Sequence, residues 1–375
     1  MGKKILFLTS TRADFGKLKP LMNALEKESG FEVFVFVTGM HMFPKYGNTG
    51  DEVAKCGFKN IFYFINQKPG DSMDTILANT VEGLGNYMSL NKPDIIIVHG
   101  DRAEALAGAI SGALNNFLVA HIEGGEVSGT IDESIRHSVS KLAHIHFVAN
   151  TEARNRLIRM GEDKKNIYVT GSPDIDLMLS NKLPSLEEVK RYYEISFDKY
   201  ALFVYHPVTT NLHNLLQHVK AIMAGVCKSG KNFVVIYPNN DPGADIIIEE
   251  LELARRDQHF RIFPCLRFEY FLTLLRNCEF IIGNSSAGIR EAPIYSIPSI
   301  NIGSRQKNRY SYKTIINVNE SAQEILDAIK RAGKIKGIPS NHFGDGNSVV
   351  KFVKVMKSGQ IWKTRVQKYF VDNYV

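Results

Sequence analysis

The sequence predicts an α/β protein built from two doubly wound, mostly parallel sheets. Apolar runs of roughly four to eight residues, rich in Val, Ile and Phe, alternate with longer stretches of helical periodicity, which is typical of successive βαβ units. The series restarts after the segment PSLEEVKRYYEISFDK. A chain of 375 residues also exceeds what one hydrophobic core usually organises. These three observations predict two domains, each with its own sheet.

The elements follow in order along the chain. We interpret these runs of the first half as strands: KKILFLTS, EVFVFVT, DIIIVHG, FLVAHIE, HIHFVA and NIYVTG. Helical spacing lies between them in LKPLMNALEKE and AEALAGAISGALNN. The second half contains the strand-like runs YALFVYH, NFVVIYP, FRIFP, EFIIGN and SINIG. We therefore expect an N-terminal domain over residues 1–180 and a C-terminal domain over 181–350. Residues 351–375 are expected to form a helical segment, interpreted as a terminal pair of helices, that packs back on the first domain.

Composition indicates an ordinary globular protein, with 44% hydrophobic and 23% charged residues mixed throughout. No run reaches the ~18 apolar residues that a membrane-spanning helix needs. The first run, KKILFLTST, is too short for a signal peptide and is followed at once by polar residues. The four cysteines lack CxxC spacing, which indicates neither a zinc cage nor a disulfide framework. A cytoplasmic, reduced protein without a membrane partner is expected.

The formal net charge of +7 is spread along the whole chain. No nucleic-acid motif accompanies it, so a nucleic-acid partner is not expected. Most of this charge is interpreted as solvated surface, and a small anionic ligand explains it equally well.

Polar side chains follow the predicted strands, where ligands bind in open α/β sheets. The first strand runs into TRADFG, in which Arg12 is suited to hold an anion; a GxGxxG loop is absent, which disfavours a dinucleotide cofactor. His41 follows the second strand, Asp101 and Arg102 follow the third, and Glu123 follows the fourth. Because the carboxyl ends of parallel strands share one edge of a sheet, these loop starts are expected to face one crevice.

The segment HIEGGEVSGTIDESIRH collects acidic side chains that repel one another. They are Glu123, Glu126, Asp132 and Glu133. Packing alone gives no reason to gather them, so a charged or reactive group among them is expected. Asp101 or Glu123 alone is explained equally well as a helix or turn cap. Because both follow strands of the same half, beside Asp132 and Arg136, function is favoured.

A second distinctive segment, IIGNSSAGIREAP, runs from a predicted strand into a helix. N–H groups and the hydroxyls of Ser285 and Ser286 at a helix start form a phosphate seat without a metal. Glu291, about one turn along the helix, is placed to accept hydrogen bonds from ribose hydroxyls.

The histidines give no metal signal. His99 and His121 lie within apolar strands and are expected to be satisfied core residues. His144 and His146 alternate on a strand and are expected to be structural. No pair shows ligand spacing beside a matching carboxylate, so no metal is expected.

Seven motifs occur in a characteristic order: TRADFGKLKP, HGDRAEAL, HIEGGEVSGTIDESIRH, HPVTT, GNSSAGIREAP, GSRQ and FGDGNS. Together they resemble the hydrolysing UDP-N-acetylglucosamine 2-epimerases, which make N-acetylmannosamine for sialic acid synthesis. The resemblance spans nearly the whole chain, from Thr11 to Ser348, and HIEGGEVSGTID is its most specific part. It implies a GT-B-like fold, in which two Rossmann-like domains with parallel sheets face each other across a cleft. Phe15 and Gly16 stand where some relatives have Tyr and Ser.

The resemblance also implies site residues. Those that would hold UDP are Arg12, Arg102, His206, Asn239, Ser285, Ser286, Gly288, Glu291 and Arg305. Those that would surround the sugar are Asp101, Glu123, Asp132 and Arg136, with His41 nearby. Catalytic roles would fall to these three carboxylates with Arg136 and His206. UDP-N-acetylglucosamine and UDP would be the ligands, the enzyme would be a homodimer, and no cofactor would be needed.

The implied chemistry is elimination of UDP to 2-acetamidoglucal followed by hydration, which needs acid and base groups on both faces of the sugar ring. Three alternatives remain open on the sequence. One is a related epimerase acting on the 2,4-diacetamido-2,4,6-trideoxy sugar nucleotide of a legionaminic acid type pathway. The others are a GT-B glycosyltransferase and a non-catalytic binder of a UDP-sugar or of nucleic acid. The sequence also leaves open which carboxylate is the acid.

Overall fold

The protein, described here by a computed structural model over residues 2–335 and 337–372, forms two compact units. The first comprises Met1–Glu126, Asp132–Ser180 and His342–Val375, and the second comprises Val127–Ile131 and Asn181–Asn341. The second unit thus ends upstream of the expected boundary at residue 350. Backbone hydrogen bonds explain the difference, because the Ser172 N–H donates to the Phe343 carbonyl at 2.7 Å.

The first unit is built on a seven-stranded parallel sheet in the order β3-β2-β1-β4-β5-β6-β7. Its strands are β1 (Lys3–Thr9), β2 (Phe31–Val37), β3 (Asn60–Tyr63), β4 (Ile95–His99), β5 (Leu118–Ile122), β6 (Ile145–Val148) and β7 (Ile167–Val169). Helices cover both faces, so interior strands such as β4 bury nearly every side chain and read as continuous apolar runs. The prediction missed β3, an edge strand whose four residues are all partly or fully exposed.

The second unit is built on a six-stranded parallel sheet in the order β10-β9-β8-β11-β12-β13. Its strands are β8 (Ala201–Val204), β9 (Phe233–Ile236), β10 (Phe260–Phe263), β11 (Ile281–Gly283), β12 (Ser299–Ile302) and β13 (Ile315–Val318). The predicted strands of this half are confirmed, and the edge strand β13 was missed. In both sheets the strand order reverses once, between β1 and β4 and between β8 and β11. Such switch points are where ligands bind in doubly wound folds.

Helices connect the strands in both units. Those of the first unit are α1 (Arg12–Glu26), α2 (Gly50–Ala54), α3 (Met73–Asn91), α4 (Ala103–Leu114), α5 (Ile131–Leu142), α6 (Thr151–Arg159), α7 (Pro173–Met178) and α14 (Ser348–Lys357). Those of the second are α8 (Leu186–Tyr192), α9 (Leu215–Lys228), α10 (Ala244–Leu253), α11 (Phe268–Asn277), α12 (Ala287–Arg290) and α13 (Ala322–Ala332). No helix in the described part of the chain combines the length and the apolar character needed to cross a bilayer.

The C-terminal segment belongs to the first unit. After α14 only a 3-10 turn forms, Ile361–Lys363, so the second terminal helix of the sequence interpretation is absent from the described residues. The Trp362 ring lies against Phe31, with ring centroids 6.3 Å apart. Farther along, the Lys368 ammonium donates to the Ala143 carbonyl at 2.7 Å and pairs with the buried carboxylate of Glu162.

Candidate active site

The switch point of the first sheet gathers the acidic residues that the sequence singled out. Asp101 follows β4 and Glu123 follows β5, and these neighbouring strands are parallel and in register from Ile95 to His99. The loop after β1 leads into α1 at the same edge of the sheet. The expectation that these loop starts share one edge is therefore met within this unit.

Glu123 is buried and held in a specific conformation. Its backbone has φ +63°, a left-handed conformation that costs energy for a residue other than glycine. Its carboxylate lies 3.3 Å from the Lys17 ammonium and 3.1 Å from Nε2 of His99. The Ser172 hydroxyl donates to it as well. Burial next to a cation and a fixed backbone make Glu123 a positioned carboxylate rather than a surface charge.

Lys17 links Glu123 to a second buried carboxylate, Asp174. The Lys17 ammonium lies 3.3 Å from Asp174 Oδ2, and both side chains are at most 9% exposed. The Ser172 hydroxyl lies against both carboxylates. Because one hydroxyl has a single hydrogen, it can donate to only one of them at a time, and the ammonium supplies the remaining donors. Lys17, Ser172 and Asp174 thus extend the site beyond the sequence interpretation.

Signals for these missed residues exist in the sequence. Lys17 interrupts an otherwise apolar face of α1 that includes Phe15, Leu18 and Leu21. The segment with Ser172 and Asp174 follows β7, so the strand-end rule that found Glu123 applies to it too.

A second acidic cluster surrounds Arg136. This arginine is buried on α5, its Nη2 pairs with the Asp101 carboxylate, and its Nη1 donates to the Glu126 carbonyl at 3.3 Å. Burial alone would lower the pKa of Arg136, but the charges of Asp101, Glu126 and Asp132 outweigh it and raise the pKa. Asp132 lies one helical turn before Arg136, on the same face of α5. The mutual repulsion of these carboxylates is thus offset by one buried guanidinium.

His41, in the loop after β2, has both ring nitrogens next to hydroxyl groups. The ring of His41 is buried, with Nε2 3.0 Å from the Thr9 hydroxyl and Nδ1 2.6 Å from the Thr49 hydroxyl. Burial lowers its pKa to about 4, with the nearby Asp14 acting in the opposite direction. His41 is therefore neutral at physiological pH, and its hydrogen bonds support the loop.

Two arginines flank this edge of the sheet and pair with carboxylates. Arg12 begins α1, whose N-cap Thr11 forms a capping box with Asp14. The Arg12 Nη2 donates to the Glu52 carboxylate at 2.8 Å. Arg102 is the N-cap residue of α4, and its Nε lies 3.4 Å from the buried Glu104 carboxylate. Both cations are thus held near strand ends, each beside a carboxylate.

In the second unit, His206 and Asn239 meet at the switch point. Asn284, buried after β11, accepts from the His206 N–H at 2.7 Å and donates to the His206 carbonyl at 2.8 Å. The Asn239 N–H donates to His206 Nδ1 at 3.1 Å. A nitrogen that accepts this bond carries no proton, so the ring is neutral with its hydrogen on Nε2. In this tautomer His206 offers an N–H donor at Nε2.

The GNSS segment forms a tight turn before a very short helix. Gly283 has φ +130°, and a Cβ there would overlap the Val204 carbonyl of the adjacent strand, so only glycine fits. Ser286 is the N-cap of α12, and its hydroxyl makes no cap hydrogen bond. Because α12 is one turn long and leads into a 3-10 turn, Ala292–Tyr295, a large helix dipole is not available. The local N–H and hydroxyl groups are the donors that this turn offers.

The residues around this turn have different roles. A Cβ at Gly288 would overlap the Ser299 hydroxyl, which explains this glycine by packing against β12. Glu291 is buried at the C-cap of α12. The Arg305 Nη1 lies 3.4 Å from the Asn284 carbonyl, and Gln306, which the sequence interpretation missed, donates to it at 2.9 Å. Arg305 also accepts through its carbonyl from the Gly129 N–H at 2.9 Å.

Of the four histidines that the sequence assigned to the strands, three are core residues and one is not. His121 is fully buried, with Nε2 2.8 Å from the Gly100 carbonyl, and burial lowers its pKa to about 3. His146 pairs with Glu162 at 3.0 Å, and His144 Nε2 lies 2.9 Å from the Val366 carbonyl. The exception is His99, which contacts Glu123 and so belongs to the site. Within residues 2–335 and 337–372, no three His, Cys, Asp or Glu side chains are grouped to hold a metal ion.

Comparison with known proteins places this arrangement in a family. The family model for UDP-N-acetylglucosamine 2-epimerase matches residues 23–357. The chain is 47% identical over 374 residues to a UDP-N-acetylglucosamine 2-epimerase of Neisseria meningitidis, with 99% of both chains covered. It is 32% identical to the UDP-N,N'-diacetylbacillosamine 2-epimerase (hydrolyzing) of Legionella pneumophila, with 96% of both covered.

A solved structure shares the fold. It is the UDP-GlcNAc 2-epimerase of Methanocaldococcus jannaschii in complex with UDP-GlcNAc and UDP, which aligns with a TM-score of 0.81 at 22% identity over 95% of this chain and 100% of that one. This likeness confirms the predicted GT-B-like α/β class with two parallel sheets. By its family match and by its identity to curated relatives, the chain belongs to the UDP-N-acetylglucosamine 2-epimerase family.

Proposed function

We propose that this protein is a hydrolysing 2-epimerase that converts UDP-N-acetylglucosamine and water into N-acetylmannosamine and UDP, for sialic acid synthesis. The observation that carries the proposal is the pair of carboxylates at adjacent strand ends, Asp101 and Glu123, each held by its own buried cation. The relative from Neisseria, 47% identical along nearly the whole chain, supports the same nucleotide sugar.

The chemistry explains why carboxylates are needed. The C2 proton of the sugar is not next to a carbonyl, so direct removal is difficult. When the bond between C1 and the UDP oxygen stretches, C1 gains oxocarbenium character and the C2 proton becomes more acidic. A carboxylate then stabilises the positive ring and accepts the proton, while UDP leaves with the electron pair of the broken bond. The product of this step is 2-acetamidoglucal.

Hydration completes the reaction. The oxygen of water bonds to C1, its proton passes to a base, and a protonated group delivers a proton to C2 on the opposite face. Glu123 is paired with Lys17 in a buried setting, whereas the side chain of Asp101 is 28% exposed and paired with Arg136. Different surroundings separate the acid and base roles of two carboxylates. Asp132 is the third candidate, because it shares the surroundings of Arg136.

The remaining proposed residues bind the nucleotide. Arg12 and Arg102 supply charge at strand ends of the first unit. The Ser285 and Ser286 turn, Arg305 and the Nε2–H of His206 supply donors in the second unit, and Asn239 fixes the tautomer of His206. Glu291 would accept from ribose hydroxyls, and Gly288 would contribute through packing of the turn.

A second candidate substrate is the UDP-linked 2,4-diacetamido-2,4,6-trideoxy sugar. The relative from Legionella, 32% identical over 96% of both chains, favours it. A GT-B glycosyltransferase would use a similar nucleotide site. Transfer of the sugar to an acceptor does not require the several carboxylates found around Lys17 and Arg136.

The test is incubation with UDP-N-acetylglucosamine alone, followed by NMR identification of the sugar. We expect UDP and free N-acetylmannosamine without added cofactor or acceptor, and the diacetamido nucleotide as a parallel substrate decides between the two sugars.

A Glu123→Gln variant should retain UDP binding and lose about a hundredfold or more in turnover. Formation of UDP-N-acetylmannosamine without UDP release would contradict hydrolysis, and no reaction without an acceptor would favour the transferase. We also expect a cytoplasmic homodimer. Light scattering, which measures the molar mass in solution, tests the oligomeric state.

A further inference from the structure

A polar cavity of about 620 Å³ lies in the second unit, at the carboxyl ends of β12 and β13. It lies beside the switch point between β8 and β11, and Gln306 contributes to both places, because it lines the cavity and donates to the Asn284 carbonyl. Five asparagine side chains contribute to its lining: Asn211, Asn301, Asn308, Asn317 and Asn319. The volume is in the usual range of small-molecule sites, about 300–1,000 Å³.

One atom of this lining lacks the hydrogen bond that burial normally requires. Asn301 is 5% exposed, and its Nδ2 donates to Asn317 Oδ1 at 2.8 Å across the paired strands. Its Oδ1 is buried and accepts no hydrogen bond from any residue that the structure describes. The Asn301 amide therefore keeps one buried polar atom without a partner, and in the orientation of this structure that atom is the acceptor Oδ1. A buried acceptor without a donor costs about 1–3 kcal/mol, so a ligand that supplies an N–H or O–H is favoured here.

The charge of the cavity indicates an uncharged ligand. Lys307 and Glu320 are the charged side chains of its lining, and their charges cancel. The Glu320 carboxylate packs directly over Gly303, where a Cβ would overlap it. A phosphate or nucleotide would find one cation and one anion, which is a poor anion site.

The amide and aromatic side chains of the lining are suited to bind a sugar. Side-chain amides donate and accept at once, as vicinal hydroxyl groups do. Tyr310 also lines the cavity; its ring stacks on Tyr312 at 5.7 Å, and its hydroxyl lies 2.9 Å from the Ser340 hydroxyl. A fixed aromatic ring beside amides offers an apolar face to the C–H groups of a pyranose. An acetamido N–H would supply the donor that Asn301 Oδ1 lacks.

We propose that this cavity binds a free N-acetylhexosamine, at a site distinct from the one that holds the nucleotide sugar during the reaction. The inference rests on binding geometry and does not require the proposed turnover.

The experiment uses the full chain with UDP at saturation and free N-acetylglucosamine or N-acetylmannosamine at millimolar concentration, followed by saturation-transfer NMR. We expect at least one sugar to bind. Asn317→Ala, at an exposed position, should weaken binding roughly three- to tenfold, the effect of one neutral hydrogen bond. Asn301→Leu, which removes the acceptor, should weaken it at least as much. Asn181→Ala is the matched control, because Asn181 is exposed and outside the cavity.

Glu123→Gln separates this site from the catalytic one. Our proposal expects sugar binding with UDP present to survive Glu123→Gln and to be lost or weakened in both cavity variants. Thermal denaturation checks that each variant is folded, and the exposed position of Asn317 keeps the test valid if Asn301→Leu is unstable. Binding that is lost in Glu123→Gln but unchanged in Asn317→Ala would overturn the proposal. Absence of binding of both sugars to the unmodified protein would overturn it as well.

Discussion

Replacing Lys17 by methionine tests how much the buried ion pairs of Lys17 with Glu123 and Asp174 contribute to stability. Methionine retains the length and much of the apolar stem but removes the ammonium that lies 3.3 Å from both Glu123 and Asp174. Two nearly buried carboxylates would then face one Ser172 hydroxyl and His99. Removing one partner of a buried ion pair costs about 3–5 kcal/mol. With a urea dependence of about 2 kcal/mol per molar, the unfolding midpoint should fall by roughly 2 M.

The effect should depend on pH with a definite sign. Without Lys17, the pKa of the remaining carboxylates is expected to rise in the folded state, because burial and mutual repulsion disfavour their charge. The unfolded chain ionises them above about pH 4, so the destabilisation is largest at neutral pH and shrinks as pH falls toward 4. The variant and the unmodified protein should therefore approach each other in stability under acid conditions.

The chain offers a local probe and a matched control. Its single tryptophan, Trp362, lies in the first unit, which also contains Lys17. Tryptophan fluorescence during urea unfolding thus follows this unit. Lys351→Met removes a lysine whose pair with Asp345 is half exposed, and it should change stability by about 0–1 kcal/mol. A Lys17→Met variant no less stable than Lys351→Met, with no dependence on pH, would refute the proposed energetic role of Lys17.

The remaining predictions concern single sites. Ser286→Ala should weaken UDP binding by about 1.5–3 kcal/mol, the contribution of a hydrogen bond to a charged group, and unchanged affinity in calorimetry would contradict the phosphate seat. Asp101→Asn should lower turnover about a hundredfold or more and leave UDP affinity nearly intact; near-normal turnover in a UDP-release assay would remove its catalytic role. Gly283→Ala should prevent folding of the second unit, while Gly333→Ala, which points into open space, should be neutral; equal solubility and circular dichroism would contradict the overlap at Gly283. His41 has its pKa lowered by burial to about 4 and stays neutral when folded, whereas the unfolded chain protonates it below about 6.5. Stability should therefore be lost as pH falls from about 6.5 through 4, and His41→Gln should reduce that loss; an identical pH dependence of the unfolding midpoint would contradict it.

The interior of both sheets could be predicted from the sequence for a physical reason. Strands buried on both faces are continuous apolar runs, and IIIVH and LVAHI show this directly. The edge strands were missed because NIFY and IINV are four residues long, and Val318 is the one buried residue among them, so neither segment has the pattern of a strand buried on both faces. Their positions are set by pairing with a neighbour, which a single sequence does not display.

Some site residues could likewise be predicted from the sequence, and others could not. The strand-end rule brought Asp101 and Glu123 to one edge, because parallel strands fix where their loops begin. It did not supply Lys17, whose charge on a buried helix face is explained only when Glu123 and Asp174 come from distant segments. The tautomer of His206 depends on the Asn239 N–H, a contact between two loops. The helix after Ser286 was predicted, but its length was not; it ends after one turn, where a Pro-containing 3-10 turn follows.

The proposed chemistry rests on cleavage of the C1–O bond with loss of the C2 proton. The most direct measurement is turnover of UDP-N-acetylglucosamine in D₂O enriched in ¹⁸O, with mass spectrometry of both products. We predict deuterium at C2 and ¹⁸O at C1 of N-acetylmannosamine, and UDP without solvent oxygen, because the acid that protonates C2 exchanges with solvent beforehand. Solvent ¹⁸O in UDP would mean attack at phosphorus, and a product that retains hydrogen at C2 would mean that no solvent-exchanged acid takes part; either result would contradict the elimination mechanism.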